Sequence, residues 1–287
     1  AMEITTKNGT VEITGFGEIN LALTLDCGQC FRWKRDGDGI WRSVAFGRAI
    51  GVKDIPGGLT FFDTTEEEVR EIWLDYFDLG RTYDKYLQEI KKDPFVRDAV
   101  KKYGTIRILH QEPWETMCSF IISACNNIPR IKKIIERFCL IFGKPLPNGE
   151  YAFPTPELVS QLEPEDLSYI GAGFRAPYLV EAAKRVCADP DIFERLAAEG
   201  AAGAKHELMK FRGIGKKVAE CIMLFSLGYD TSLPTDTHIL AAMRDIYPNG
   251  LPECFSSFPG LAQQYVFQAQ RELSAPKKIK HETEKQS

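Results

Sequence analysis

No run of apolar residues in this chain approaches the roughly 18 that a membrane-spanning helix needs, and the N-terminal stretch AMEITTKNG lacks the basic-then-apolar layout of an export signal. Both absences lead to the expectation of a cytoplasmic protein with no membrane partner. Ala1 ahead of Met2 reads as a remnant of tag removal and is set aside. A strong positive charge is also missing. The formal net charge of −4 argues against a protein that coats nucleic acid along a whole face, though a local basic surface suffices for a site-specific binder. One such surface is IPRIKKIIER, where Arg130, Lys132, Lys133 and Arg137 stand against the single acid Glu136, although a run of this kind is by itself an ordinary solvated helix face.

The cysteines are defined by what they fail to form. Cys27 and Cys30 make CGQC, but no second Cys-x-x-Cys completes a metal site. The other six, Cys118, Cys125, Cys139, Cys187, Cys221 and Cys254, are scattered, which excludes a four-cysteine iron–sulfur loop near the C-terminus. A redox pair should open a helix under a βαβ pattern, whereas CFRW runs on as an alternating strand. Free thiols packed as small apolar groups are therefore expected, with thiol oxidoreduction through Cys27 and Cys30 as the alternative.

What is present is a chain with 44% hydrophobic and 26% charged residues, enough for buried cores in more than one domain. From Val11 to about Asp63, short alternating or apolar runs (NLALTL, CFRWKR, WRSVAFG, AIGVKD, GLTFFD) are broken by Gly, Asp and Pro, and predict an antiparallel sheet. TTEEEVREIWLDYF places a threonine three residues ahead of a glutamate and then an apolar stripe, a capped helix. From Tyr83 onward nearly every segment carries the 3.6 period. In IPRIKKIIERFCLIFG the apolar positions Ile128, Ile131, Ile134, Ile135, Phe138 and Ile141 lie on one stripe that Gly143 ends. The fold class expected is α+β: an N-terminal sheet domain over 1–105, a mostly helical domain over 106–275, and a charged, disordered tail over 276–287. No internal repeat of fixed period is found.

The segment HELMKF-RGIG-KKVAECIMLFSLG reads as helix, tight turn, helix. Gly213 and Gly215 permit positive φ and let the backbone approach something closely. The unpaired first amides of the second helix, with its dipole, make an anion site suited to a DNA phosphate. A nucleotide-hydrolase phosphate loop would need Ser or Thr where Lys217 stands, so that reading falls away. Lys216 and Lys217 point about 100° apart on the helix and serve different ends. A lysine becomes a nucleophile when desolvation or a cationic neighbour favours its neutral form, and Lys216, the helix terminus and the flanking apolar residues supply those pressures to Lys217. After the hairpin, SLPTDTHILAAMRDIY puts Asp236 at a helix N-cap and His238 in the first turn. A carboxylate there either simply caps the helix or also faces Lys217 and steadies a cationic transition state.

FRGIGKKVAECIMLFSLGYDTSLPTDTHIL resembles the helix-hairpin-helix, Gly/Pro-rich, aspartate signature of base-excision DNA glycosylases. With GQCFRW, SACNNIPRI, GAGFRAPYL and LAQQYVFQAQ, the chain is similar over most of its length to 8-oxoguanine DNA glycosylase/AP lyases. That resemblance implies a TBP-like N-terminal domain and a monomer acting on duplex DNA that contains 8-oxoguanine. It implies that Lys217 attacks C1′ of the damaged nucleotide and that Asp236 stabilises the developing charge. His238, Lys216 and the amides around Gly213 and Gly215 would hold the backbone. Phe267 and Cys221 would sandwich the flipped base, Gln263 would read its Watson–Crick edge, and the Gly28 carbonyl would accept the N7 hydrogen that guanine lacks. Phe174 would wedge into the stack, with Arg175 and Arg130 on the orphaned base. The family often has tyrosine at 174 and asparagine at 125. Here Phe and Cys stand there, with Asn126 and Asn127 as substitutes. No organic cofactor and no metal-ligating side chain is implied, though relatives hold a cation on hairpin carbonyls. Endonuclease-III-like and alkylated-base glycosylases fit less well, since the first usually carries the missing cysteine cluster and the second usually lacks the lysine. A non-catalytic DNA-binding module is the competitor from a different class.

Overall fold

Alternation decides the first layer. In β2 (Thr10–Thr14), Val11 and Ile13 point inward and are essentially unexposed. Ile50 and Val52 of β5 (Arg48–Ile55) and Leu59 and Phe61 of β6 (Gly58–Phe62) join them on the same face. The computed structural model describes residues 1–275, so the tail expected over 276–287 lies outside it. With β1 (Glu3–Lys7), β3 (Lys34–Arg35) and β4 (Trp41–Ala45) the strands form a six-stranded sheet of order β1-β2-β6-β5-β4-β3, antiparallel throughout. The register sets Val11 against Phe61 and Phe61 against Val52, so large apolar side chains meet on one face. That face is covered by the capped segment read from TTEEEVREIWLDYF. Thr65 accepts from Glu68 N–H, α2 (Glu66–Glu68) runs through a π turn at Val69–Trp73 into α3 (Leu74–Tyr76), and Val69, Trp73 and Phe77 are fully buried.

Two strand expectations are corrected. NLALTL is a helix, α1 (Leu21–Leu25), capped by the Asn20 side chain on Leu23 N–H. Its buried positions Leu21, Thr24 and Leu25 follow helical spacing, and the member that hid the pattern is polar: the Thr24 hydroxyl accepts Arg107 N–H at 3.2 Å. CFRW is irregular, and only Lys34–Arg35 pair as strand.

The second layer is helical: α4 (Asp84–Ile90), α5 (Pro94–Tyr103), α6 (Pro113–Ser123), α7 (Ile128–Phe142), α8 (Pro156–Val159), α9 (Ala176–Ala188), α10 (Ile192–Ala198), α11 (Ala201–Leu208), α12 (Lys216–Ser226), α13 (Thr237–Asp245) and α14 (Pro259–Ser274). Starts are set by side-chain caps followed by proline, as with Asp93, Glu112, Asn127 and Thr155. Gly143 does end α7, but at φ −77 rather than in the left-handed region. A Cβ there would strike the Ala152 and Cys139 carbonyl oxygens, so close approach is what requires glycine. α6 and α12 are buried nearly all round and form the centre of the core.

The expected boundary at 105 also moves. Tyr83, Leu87, Ile90, Val96 and Ala99 pack in the helical core, while Leu109 packs with the sheet, so the helical unit begins near Tyr83. In the other direction, Cys27 and Phe31, on the loop after α1, belong to the helical core. The loop that carries Gly28 is thus inserted into the helical unit although its flanks belong to the sheet domain. Among the described residues no helix is long and apolar enough to cross a membrane.

Candidate active site

Helical repeat builds one wall. Lys217, Cys221 and Phe225 follow at i, i+4, i+8 on α12, and Gln263, Phe267 and Arg271 do the same on α14. Both triplets line a cavity of about 540 Å³, joined by Gly28, Phe120, Asp236 and His238. Six of the expected residues therefore converge with Gly28: Lys217, Asp236, Cys221, Gln263, Phe267 and His238. Asn126 and Asn127 also line it.

The hairpin before α12 has two glycines with different reasons. Gly213 sits at φ +87, and a Cβ on it would lie 2.4 Å from the Tyr178 ring. Gly215 sits at φ −88 as the N-cap of α12, with nothing within 4 Å of an added Cβ, so the expectation of positive φ holds for the first and not the second. Lys216 is exposed and Lys217 half-buried, as their divergence on the helix requires. The Lys217 Nζ lies 5.5 Å from the centroid of Phe120, whose ring stacks on Phe225 at 5.6 Å. Burial pushes the Cys221 thiol up to about 11, against the pull of Lys217 and with the push of Asp236.

Asp236 does cap α13, accepting Ile239 N–H at 2.9 Å. The loop that delivers it is tied to α12 by Glu220, which accepts Leu233 N–H at 2.9 Å and pairs with Lys205. The His238 ring meets the Phe267 ring edge-on at 5.5 Å. Gly28, at φ +82, also approaches this ring so closely that a Cβ would lie 3.2 Å from Phe267 Cε1. Gln263 is 5% exposed and its Oε1 has no hydrogen-bond partner. A buried carboxamide oxygen left unpaired costs about 1–3 kcal/mol, which a ligand in the cavity would recover.

The predicted orphan-base group is arranged otherwise. Arg175 is 2% exposed, and its guanidinium donates to the Ala124, Cys125 and Ala172 carbonyls, so it braces the loop before α7 instead of projecting from the surface. Its pKa is lowered by burial first and by Arg130 second. Arg130 is exposed, and Phe174, next to Arg175 in sequence, stands 56% exposed with the Arg175 guanidinium 4.2 Å from its ring. Asn127 spends its side-chain oxygen capping α7, and Asn126 donates to Ile122 O. Cys125 holds φ +52, a conformation that asparagine tolerates better.

Sequence reasoning missed Phe120 and Arg271. The i+4 step from Gln263 to Phe267 continues to Arg271 and would have found the second; nothing local marks Phe120. The thiol alternative loses its basis. All eight cysteines are free, and burial pushes Cys27 up to about 12 and Cys30 well above the usual thiol range, the reverse of a reactive pair.

Comparison with known proteins follows the same line. A family model described as the N-terminal domain of 8-oxoguanine DNA glycosylase matches residues 14–117. The N-glycosylase/DNA lyase of Saccharomyces cerevisiae is 34% identical over 149 residues, 47% of this chain and 40% of that protein. The Arabidopsis thaliana protein named N-glycosylase/DNA lyase OGG1 is 27% identical over 252 residues, 77% of this chain and 64% of its own. The chain thus spans less than two thirds of either relative. A solved Clostridium acetobutylicum 8-oxoguanine glycosylase/lyase, in complex with double-stranded DNA containing cytosine opposite 8-oxoG, superposes with a TM-score of 0.89. It is 36% identical, with 96% of this chain and 99% of that one covered.

Proposed function

Since the chain belongs to the 8-oxoguanine DNA glycosylase family, we propose that it is a base-excision repair enzyme that flips 8-oxoguanine out of duplex DNA, removes it, and cleaves the strand at the resulting site. The observation that carries this reading is the unpaired, buried Gln263 Oε1 in the cavity that Lys217, Asp236, Cys221 and Phe267 also line. Extrusion costs a few kcal/mol, so the cavity must return it through stacking between Phe267 and Cys221 and through the hydrogen bonds of Gln263.

The chemistry assigned to the residues is nucleophilic. The free amine of Lys217 bonds to C1′ as the N-glycosidic bond breaks and its electron pair leaves on the base, which takes up a proton. Asp236 carries negative charge toward the developing oxocarbenium ion. Loss of a proton from nitrogen and opening of the sugar give a C1′ Schiff base. Removal of a C2′ proton then expels the 3′ phosphate by β-elimination, and water releases the lysine. Discrimination falls to the Gly28 carbonyl: facing guanine it would meet the N7 lone pair and stay unpaired, at a cost of about 1–3 kcal/mol. Phe174, Arg130 and Arg175 are assigned to the gap and the orphaned base, with Arg175 acting through the loop it braces or after release from it. Lys216, His238 and the hairpin amides take the phosphates.

The enzyme works as a monomer, without an organic cofactor, in the cytoplasm. No cluster of His, Cys, Asp or Glu among the described residues could hold a metal. A cation at the hairpin would therefore rest on main-chain carbonyls, where Phe211 O is already engaged by Ile214 N–H. Borohydride trapping tests the proposal. The protein should become covalently joined to DNA carrying 8-oxoguanine, and Lys217→Gln should abolish both trapping and excision. A Lys217→Gln protein that excises at the wild-type rate refutes it, and a wild type that binds lesion DNA without trapping would favour a binding module.

A further inference from the structure

Gly28 is an unusual reader, because a glycine at φ +82 has no side chain to hold its peptide plane. Two bonds fall on either side of it. The Gln111 side-chain amide donates to Gln29 O at 2.5 Å, and the Gln264 amide lies 3.5 Å from Cys27 O and 3.2 Å from Cys27 Sγ. Among the described residues no donor bonds the Gly28 carbonyl between them. The outer peptides of the turn are pinned and the middle carbonyl is left unclaimed beside the cavity.

Both glutamines are themselves fixed to the walls of the site. Gln111 N–H donates to Phe225 O at 2.8 Å, one turn beyond Cys221 on α12. Gln264 is buried at 2% exposure on α14, next to Gln263 and three residues before Phe267. The turn is braced from beneath by Gln29, whose side chain donates to Thr24 O and Arg107 O and accepts Leu109 N–H, all at 2.8–2.9 Å. The loop that presents the Gly28 carbonyl and the helices α12 and α14 that line the cavity are therefore one hydrogen-bonded frame. Its members lie 82 and 237 residues apart in sequence.

We propose that Gln111 and Gln264 are positioning residues for lesion recognition: by tying off the Gln29 and Cys27 carbonyls to the two catalytic walls, they aim the Gly28 carbonyl at N7 of the flipped purine. This rests on the assignment of Gly28 as the reader, and its test separates the two. Gln111→Met and Gln264→Met keep the side-chain volume and remove the donor. In a Lys217→Gln background, which binds without turnover, the ratio of affinities for 8-oxoguanine and guanine duplexes should narrow about fivefold or more in either variant, a rotated carbonyl losing most of one hydrogen bond. With Lys217 intact, cleavage of a preformed abasic site, which has no base to read, should stay within about twofold of the parent.

A ratio unchanged in both variants overturns the proposal. So does a parallel fall in the ratio and in abasic-site cleavage, since that marks a merely structural role. If instead the parent itself neither cleaves abasic sites nor prefers the oxidised duplex, the functional assignment fails and this inference falls with it. A narrowed ratio with abasic cleavage retained supports the positioning role.

Discussion

Replacing each hairpin glycine by alanine separates two roles that look identical on paper. At Gly213, φ is +87, so an L-residue carries the left-handed penalty of about 1–2 kcal/mol. The new methyl would also sit 2.4 and 2.7 Å from Cδ2 and Cγ of Tyr178 and 3.1 Å from its Cβ. Turning the ring about Cβ–Cγ relieves only the first contact, because Cγ lies on that axis and Cβ is fixed to α9. The ring is also held, with Arg212 5.1 Å over it and Phe174 edge-on at 6.2 Å. Overpacking of this kind adds about 1–3 kcal/mol, for a total of about 2–5 kcal/mol. A chain of 287 residues has an unfolding entropy of about 0.6 kcal/mol/K at its midpoint, so the melting temperature should fall by about 3–8 °C. Gly215→Ala meets open space at φ −88 and loses only N-cap preference, about 0.5–1 kcal/mol, or under 2 °C. Its effect should appear on DNA, where a methyl at the amide cradle would weaken binding to damaged and undamaged duplex alike, by about tenfold if most of one bond to a charged phosphate is lost. Thermal melts and fluorescence anisotropy of both variants decide the matter. A Gly213→Ala protein that melts within 1 °C of the parent, or a Gly215→Ala protein as unstable as Gly213→Ala, refutes the steric reasoning.

Other outcomes follow from single sites. Cys125 holds φ +52, so Cys125→Asn should raise stability by about 0.5–1 kcal/mol, read as a rise of about 1–2 °C in a thermal melt. Burial raises Glu115 to about 7, with Arg32 opposing. Its unfolded-state value is lower, so the stability it contributes is full below about pH 4.5 and is lost as pH rises through 7. The denaturation free energy of Glu115→Gln relative to the parent should therefore improve by up to about 3 kcal/mol between pH 4.5 and pH 8, and a flat difference would remove that account. Thiol labelling at neutral pH should mark exposed Cys125 in the native state and leave buried Cys27 and Cys30 untouched until unfolding, with mass mapping as the readout. Rapid native labelling of the CGQC pair would reopen the thiol chemistry set aside above.

The sequence by itself determined whatever is local. The helix-turn-helix order of the hairpin, the Asp236 cap on α13, the α7 stripe through Ile131, Ile134, Ile135 and Phe138, though not its expected member Ile141, which is exposed, and the sheet alternation all depend on residues within four positions of one another, so their spacing carries the information. Lys217 and Cys221 on one face of α12 were legible for the same reason. The tertiary structure decided what depends on distant partners. NLALTL alternates like a strand, yet it is a helix because Thr24 is buried against Arg107, 83 residues away. Arg175 reads as a free cation and is instead consumed by carbonyls about 50 residues earlier. Likewise Gln263 stays unpaired, and Gln111 and Gln264 reach the turn around Gly28, only because three chain segments close around one cavity. Local periodicity records which way a side chain points; which polar group it finds there is settled only when the whole chain has packed.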